Sequence, residues 1–437
     1  MFKLLLTLCF IAVIDVSFEC TNTVYPFEKY LATKTPYRVV ANNTFGKLEY
    51  EGCKAIKSWM IVRHGTRNPS DGFVLQYNTR LPDILNLIVT NYGHGVSENI
   101  EKISPKDIDL LKKWRSKVGQ EDAKKLREEG EDEMILISER MQTRFPEVFP
   151  NVYSNTSYKF KYTHTQRTKK SAQYFATGLF GKKTAKDVWF PLPLKRDPIL
   201  RFYKLCSKWR NTIKKQPIME LELFKKSSHF LELVDNVNKK IGAENVLNAE
   251  DVLLMYFACA FETAWNKVLK SPWCSVFTID DLKVLEYHED LKYYWIDGYG
   301  HQLTYQQACP AIVDMVEHFD NKEKYPLSVL YFTHSGTLLK MLAHLGLYKD
   351  EKILIANDYE KNGNREWKVS HIDAFATNLA FILHKCGDEE KVLTLHQENV
   401  VRLPSCPDSD LCDLQKFKEF YTDSVDHCDF NSMCDTV

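Results

Sequence analysis

The chain has 437 residues, 44% apolar and 27% charged, enough to bury a large core in one or two domains. Its 58 Lys and Arg balance 58 Asp and Glu, which gives no global field to draw it to nucleic acid or an anionic membrane, so any anion site must be local. Its 12 cysteines include no C-x-x-C pairs of the zinc-binding kind, and they read as disulfide formers of an oxidising compartment.

Met1-Phe2-Lys3, an apolar run from Leu4 to Ile14 and the polar Asp15-Val16-Ser17 read as a secretory leader, too short to span a bilayer. Cleavage is expected between Ser17 and Cys20, which assigns residues 1–19 to the leader. In an exported chain, Asn42 (Asn-Asn-Thr) and Asn155 (Asn-Thr-Ser) are glycosylation sequons. Residues 57–62 predict a strand, and Arg63-His64-Gly65-Thr66-Arg67-Asn68-Pro69 leaves its C-terminal end as a loop. Residues 105–145 are charged with helical spacing, 159–163 predict a second strand and 171–179 a helix, so the alternation suggests βα units. From about 201 to 300 a Lys- and Glu-rich, aromatic helical pattern marks an insertion.

Residues 327–332 are the most strand-like run, and Thr333-His334-Ser335-Gly336 leads from it into a helix over 337–345. Further strands are expected at 365–368, 374–384 and 391–401. Cys406 and Cys412, and Cys428 and Cys434, share one spacing and suggest a stapled C-terminal tail of open connectivity. No later run approaches eighteen apolar residues, so no membrane span is expected, and the last residues carry no address for retention in the endoplasmic reticulum. A secreted protein, or one in an endosomal or lysosomal lumen, follows. The expected fold is α/β: a mixed, mostly parallel sheet flanked by helices, formed by residues 20–200 and 301–437. A mainly α-helical cap is inserted at 201–300, with residues of about 75–145 as candidates to lend it helices.

A histidine set between two arginines suits attack on a phosphoryl group. The imidazole of His64 is nucleophilic near neutral pH, and the guanidinium forks of Arg63 and Arg67 match phosphate oxygens in pairs. Gly65 lets backbone come close. Ligands of open α/β sheets bind beyond the carboxyl ends of the strands, which puts His64 and His334 in one site. The expected partner is a small phosphorylated molecule. No metal-binding pattern is present and no cofactor is called for.

The R-H-G-x-R-x-P segment resembles the histidine acid phosphatase branch of the histidine phosphatase superfamily. The resemblance implies a transient phosphohistidine on His64, phosphate held by Arg63 and Arg67, a third arginine matching Arg167 within Thr163–Ala172, and a second histidine matching His334. Tyr30–Tyr37, Leu200–Tyr203 with Cys206, Ser271–Cys274 running to Gly300, and His371–Leu383 look similar to multiple inositol polyphosphate phosphatases. That likeness implies an inositol polyphosphate substrate and a Cys53–Cys386 disulfide. Lys169 and Lys170, beside Arg167, are candidate contacts for a polyanion.

One departure matters. Where the subfamily has His-Ala-Glu and the wider branch His-Asp, with the carboxyl as general acid, this chain has His334-Ser335-Gly336. Ser335 reads as a helix N-cap and Gly336 as a point of close backbone approach to an anion. Either another acid serves, Asp71 and Asp373 being the candidates, or the chain is a catalytically impaired homologue that captures polyphosphates without turnover.

Overall fold

The computed structural model describes residues 24–44, 46–92, 102–243 and 245–434, and the expected leader lies outside them. The central strand is β1 (Cys53–Arg63), followed by helices α1 (Asp71–Asn91), α2 (Pro105–Lys113) and α3 (Glu128–Arg144). Next come β2 (Tyr158–Tyr162), α4 (Gln166–Thr184), α5 (Ser228–Lys240), α6 (Ala249–Trp265), α7 (Ile279–Asp297) and α8 (Cys309–Asp320). The last third holds β3 (Ser328–Thr333), α9 (Ser335–His344), β4 (Asn378–Cys386), β5 (Glu389–His396), β6 (Asn399–Val400) and β7 (Leu411–Asp413).

The strands form one sheet in the order β2-β3-β1-β4-β5-β6, with β7 also paired to β5. Parallel pairing is confined to β2, β3 and β1, while the C-terminal strands join antiparallel. Only Gly387 and Asp388 separate β4 from β5, and a link that short permits nothing but a hairpin. Residues 365–368, read as a strand from sequence, form none. The backbone N–H groups of Glu366 and Trp367 donate to the Asp350 carboxylate, and the Arg365 guanidinium is pulled onto Glu286 and Asp290 of α7.

Side chains alternate along a strand, and the sheet therefore supports two cores. Trp59, Ile61, Val329, Tyr331, Leu379 and Phe381 face a large core shared with α1, α2, α5, α6, α7, α8 and α9. Met60, Val62, Leu330, Phe332, Ala380 and Ile382 face a second core closed by α3 and α4. Despite its charge, α3 buries Met134, Ile137 and Met141 at helical spacing.

Among the described residues, five disulfides hold the periphery. Cys53–Cys386 joins β1 to β4, Cys259–Cys274 closes a loop after α6, and Cys406–Cys412 is a local clasp. Cys428 and Cys434 do not repeat that clasp. They bond to Cys309 and Cys206, which fastens the tail to the helical side of the molecule. No helix among the described residues is long and apolar enough to cross a membrane.

The two ends of the chain are also tied by a buried carboxylate. Glu398 accepts from Arg140 Nε and Nη2 at 2.8 and 2.7 Å, from Arg144 Nη1 at 2.9 Å and from the Tyr37 hydroxyl at 2.8 Å. Removing one partner of a buried charge cluster strands the others, at about 3–5 kcal/mol. Glu398→Gln is therefore expected to lower stability by about 3–5 kcal/mol, read as a drop in the urea midpoint at unchanged slope.

Candidate active site

The register Arg63↔Thr333 between parallel β1 and β3 sets His64 and His334 one residue beyond their strand ends, with the His64 N–H on the Thr333 carbonyl at 3.1 Å. The two imidazoles meet edge to face, 5.6 Å between centroids. Thr163, just past β2, leaves the sheet at the same edge.

His64 is 3% exposed, and its Nδ1 lies 2.9 Å from its neighbour's carbonyl, Gly65 O. A carbonyl only accepts, so Nδ1 holds the proton and Nε2 keeps its lone pair. Burial, then the charges of Arg167, Arg67 and Arg63, push the imidazole pKa well below its usual value. The ring is therefore neutral, as a nucleophile must be.

The loop is held by close packing against α3. A Cβ on Gly65 would fall 2.3 Å from Gly130 O, and one on Gly130 2.3 Å from Thr66 O, so neither position tolerates a side chain. Glu133, one turn along α3, accepts from the Thr66 N–H at 2.7 Å and the Thr66 hydroxyl at 2.8 Å.

His64 opens onto a cavity of about 390 Å³ that, among the described residues, is lined by seven cations, Lys34, Arg63, Arg67, Arg167, Arg201, Lys204 and Lys292, and by no carboxylate. The Nε atoms of Arg63, Arg67, Arg167 and Arg201 are buried without a partner in the protein. Burial, reinforced by Arg167 and Arg63, pushes Arg67 down to about 9, and burial with Arg201 pushes Arg167 down to about 10. Four mutually repelling guanidinium groups, each with an Nε donor that has no partner in the protein, make a site for a multiply charged oxyanion.

Outside this ring the charges are balanced. Glu289 is fully buried and binds Lys34 at 3.1 Å and Lys292 at 3.0 Å. Burial alone would raise its pKa, but Lys292 and Lys34 hold the carboxyl well below the usual range. Arg201 is held by its neighbours: Thr333 and Thr337 hydroxyls donate to Leu200 O at 2.6 and 2.8 Å, and Asp197 Oδ1 caps the Leu200 N–H at 2.8 Å. The helical side supplies Phe73 from α1, Phe257 and Phe261 from α6, and Lys292 and Tyr293 from α7.

His334 donates and accepts within the protein. Its Nδ1 faces Arg167 Nη2 at 3.3 Å, a group that can only donate, so Nε2 carries the proton and gives it to Thr163 Oγ1 at 2.9 Å. Ser335 is not the N-cap that its sequence position suggests. It is the first residue of α9, and its hydroxyl is bonded to Asp373 Oδ2. A Cβ on Gly336 would lie 3.2 Å from Asp297 Oδ1, so a carboxylate introduced there would meet another.

Of the two substitute acids weighed from sequence, Asp71 is exposed, pairs with Lys124 and does not line the cavity, whereas Asp373 is buried behind Arg63 and Ser335. Lys169 and Lys170 are exposed and outside the cavity lining: two 100° steps put Lys169 on the far side of α4 from Arg167, and the Lys170 ammonium lies over the Tyr174 ring. Lys34, Arg201, Lys204 and Lys292 were not picked out by sequence. Lys34 and Arg201 lie inside segments whose family resemblance was visible, but nothing local distinguishes a cavity-lining cation from a solvated one.

Fold and site together define a histidine phosphatase, and the chain belongs to the histidine phosphatase superfamily (branch 2), whose family model matches residues 57–403. It is 32% identical over 387 residues to multiple inositol polyphosphate phosphatase 1 of Drosophila melanogaster, covering 86% of this chain and 82% of that protein. The fold is shared with the phytase from D. castellii (TM-score 0.75, 17% identity, 93% of this chain and 87% of that one). It is shared too with the multiple inositol polyphosphate phosphatase of Bifidobacterium longum (TM-score 0.68, 16% identity, 90% and 97%).

Arg167→Ala is expected to weaken binding of phosphate or vanadate by about 10- to 100-fold, the range for a lost charged hydrogen bond. The unliganded variant should melt no lower than the parent, since one repelling cation has gone. Titration calorimetry and thermal melts with and without phosphate check both parts.

Proposed function

We propose that the protein is an exported phosphomonoesterase acting on inositol polyphosphates through a phosphohistidine on His64. The observation that carries this reading is a neutral imidazole, its Nδ1 proton given to Gly65 O, beside four arginines whose Nε donors have no partner in the protein. Arg63, Arg67, Arg167 and Arg201 hold the oxygens of one phosphoryl group and gather the charge that builds on them in the transition state. His64 Nε2 attacks phosphorus in line and the ester oxygen departs. Water then attacks the phosphohistidine, the P–N bond returns its electron pair to Nε2, and phosphate leaves. His334 keeps Arg167 in place through its Nδ1 contact.

The remaining cations, Lys34, Lys204 and Lys292, give the cavity far more positive charge than one phosphate needs. That excess supports a substrate with several phosphates, in keeping with the names of the relatives. Five disulfides suit an oxidising compartment. Asn155 is exposed as a glycan acceptor must be, while half-buried Asn42 commits its amide nitrogen to Glu398 O at 3.3 Å. The second reading, a polyphosphate-binding protein without turnover, is favoured by Gly336, which brings no acid to the site.

Phosphate release from inositol hexakisphosphate and from 4-nitrophenyl phosphate, measured side by side, separates the two. The expected result is turnover that falls by more than about 10³-fold in His64→Ala, while phosphate still raises the melting temperature of the variant. Wild-type turnover in His64→Ala would remove the nucleophile from this position. Tight hexakisphosphate binding with no release from either ester would establish the binding protein.

A further inference from the structure

An alkyl ester oxygen departs as a costly alkoxide unless a proton reaches it, and no carboxylate lines the cavity. Of the carboxyl groups one layer behind the lining, Asp373 is bonded to a hydroxyl that faces the cavity. Asp373 sits fully buried between the short helix Val369–Ile372 and β4, and its Oδ2 is hydrogen-bonded to Ser335 Oγ. Its Oδ1 has no partner. Ser335 itself lines the cavity with His64 and His334 and spends nothing on capping its helix.

We propose that Ser335 delivers the proton to the leaving oxygen and that Asp373, acting through it, resupplies that proton, so that a two-residue relay replaces the carboxyl missing at position 336. The proposal rests on the phosphatase reading above. As the His64 Nε2–P bond forms and the P–O bond breaks, the ester oxygen keeps the bonding pair and takes the Ser335 hydroxyl proton. Ser335 Oγ takes the proton of the Asp373 carboxyl, leaving a carboxylate. In the second half the attacking water gives its proton to Ser335, which passes its own back to Asp373, so both residues end as they began.

The surroundings favour a carboxyl that starts protonated. Burial raises the Asp373 pKa to about 7, with Asp297 adding to the rise and Arg63, the Ser335 hydrogen bond and Lys34 opposing it. Arg63 Nη1 is 3.4 Å from Oδ2 but is also drawn to the backbone carbonyls of Asp373 and Ala374, at 2.5 and 3.0 Å. Asp297, the other carboxyl near Gly336, is committed to the buried ammonium of Lys340.

The test compares leaving groups. In Asp373→Asn and in Ser335→Ala, kcat on inositol hexakisphosphate should fall about 10²- to 10⁴-fold, and on 4-nitrophenyl phosphate, whose phenolate leaves unaided, less than about 10-fold. Ser335→Thr, which keeps a hydroxyl, should recover most of the loss seen with alanine. Phosphate-induced thermal stabilisation in each variant reports that the fold and the arginine ring persist. Equal losses on both esters would mean that Asp373 merely positions Arg63, and unchanged alkyl turnover would mean that the proton comes from elsewhere; either overturns the relay. Wild-type protein that cleaves only the aryl ester overturns the relay and leaves the phosphatase reading intact, whereas wild-type protein that cleaves neither overturns both.

Discussion

Mutual repulsion among the cations of one buried cavity is the constraint that organises this molecule. Two unit charges 4 Å apart at an effective dielectric of 20 repel by about 4 kcal/mol, so four guanidinium groups around one imidazole must be held there against their own field. The chain does this by anchoring the cations and their loops with acidic side chains placed one layer back. Glu289 stands behind Lys34 and Lys292, and Asp373 behind Arg63. Asp197 anchors the segment before Arg201 and pairs with Lys161 at 2.9 Å. Each holds its cation or its loop without entering the cavity, which leaves the field there unquenched for an anionic guest.

Such an arrangement needs rigid elements on every side, and the sheet provides the first. Parallel β1, β2 and β3 end together, so that three consecutive loops emerge within reach of one another. Behind the loop at His64, α3 approaches at backbone distance through the Gly65 and Gly130 pair, and its Glu133 takes both donors of Thr66. Two turns further along the same helix, Arg140 and Arg144 are clamped by Glu398 from the far end of the chain. One helix thus links the His64 loop to the C-terminal hairpin.

Much of this could be read from the residues. The three parallel strands are short apolar runs whose boundaries shifted by a few residues at most, and the R-H-G-x-R-x-P loop is a contiguous pattern. What could not be read was made by contacts distant in sequence. The segment at 365–368 has strand-like side chains, yet the carboxylates of Asp350, Glu286 and Asp290 capture its polar groups. Lys34 and Lys292 meet only because Glu289 lies between them, and Arg201 joins the ring through a turn that no periodicity announces. The hydroxyl of Ser335 illustrates the same limit: its position suggests a cap, and only the folded arrangement reveals Asp373 beside it.

The place of β1 in the sheet bears on how the chain folds. The neighbours of this strand on either side are β3 and β4, some 270 to 330 residues later in the chain. The edges of β1 are therefore paired only through contacts between residues far apart in sequence, and such contacts close slowly. The loop at His64, whose backbone N–H bonds to Thr333 O beyond β3, acquires its geometry only when that distant strand has paired with β1. The site is thus completed by the slowest class of contact in the fold, late in folding rather than early.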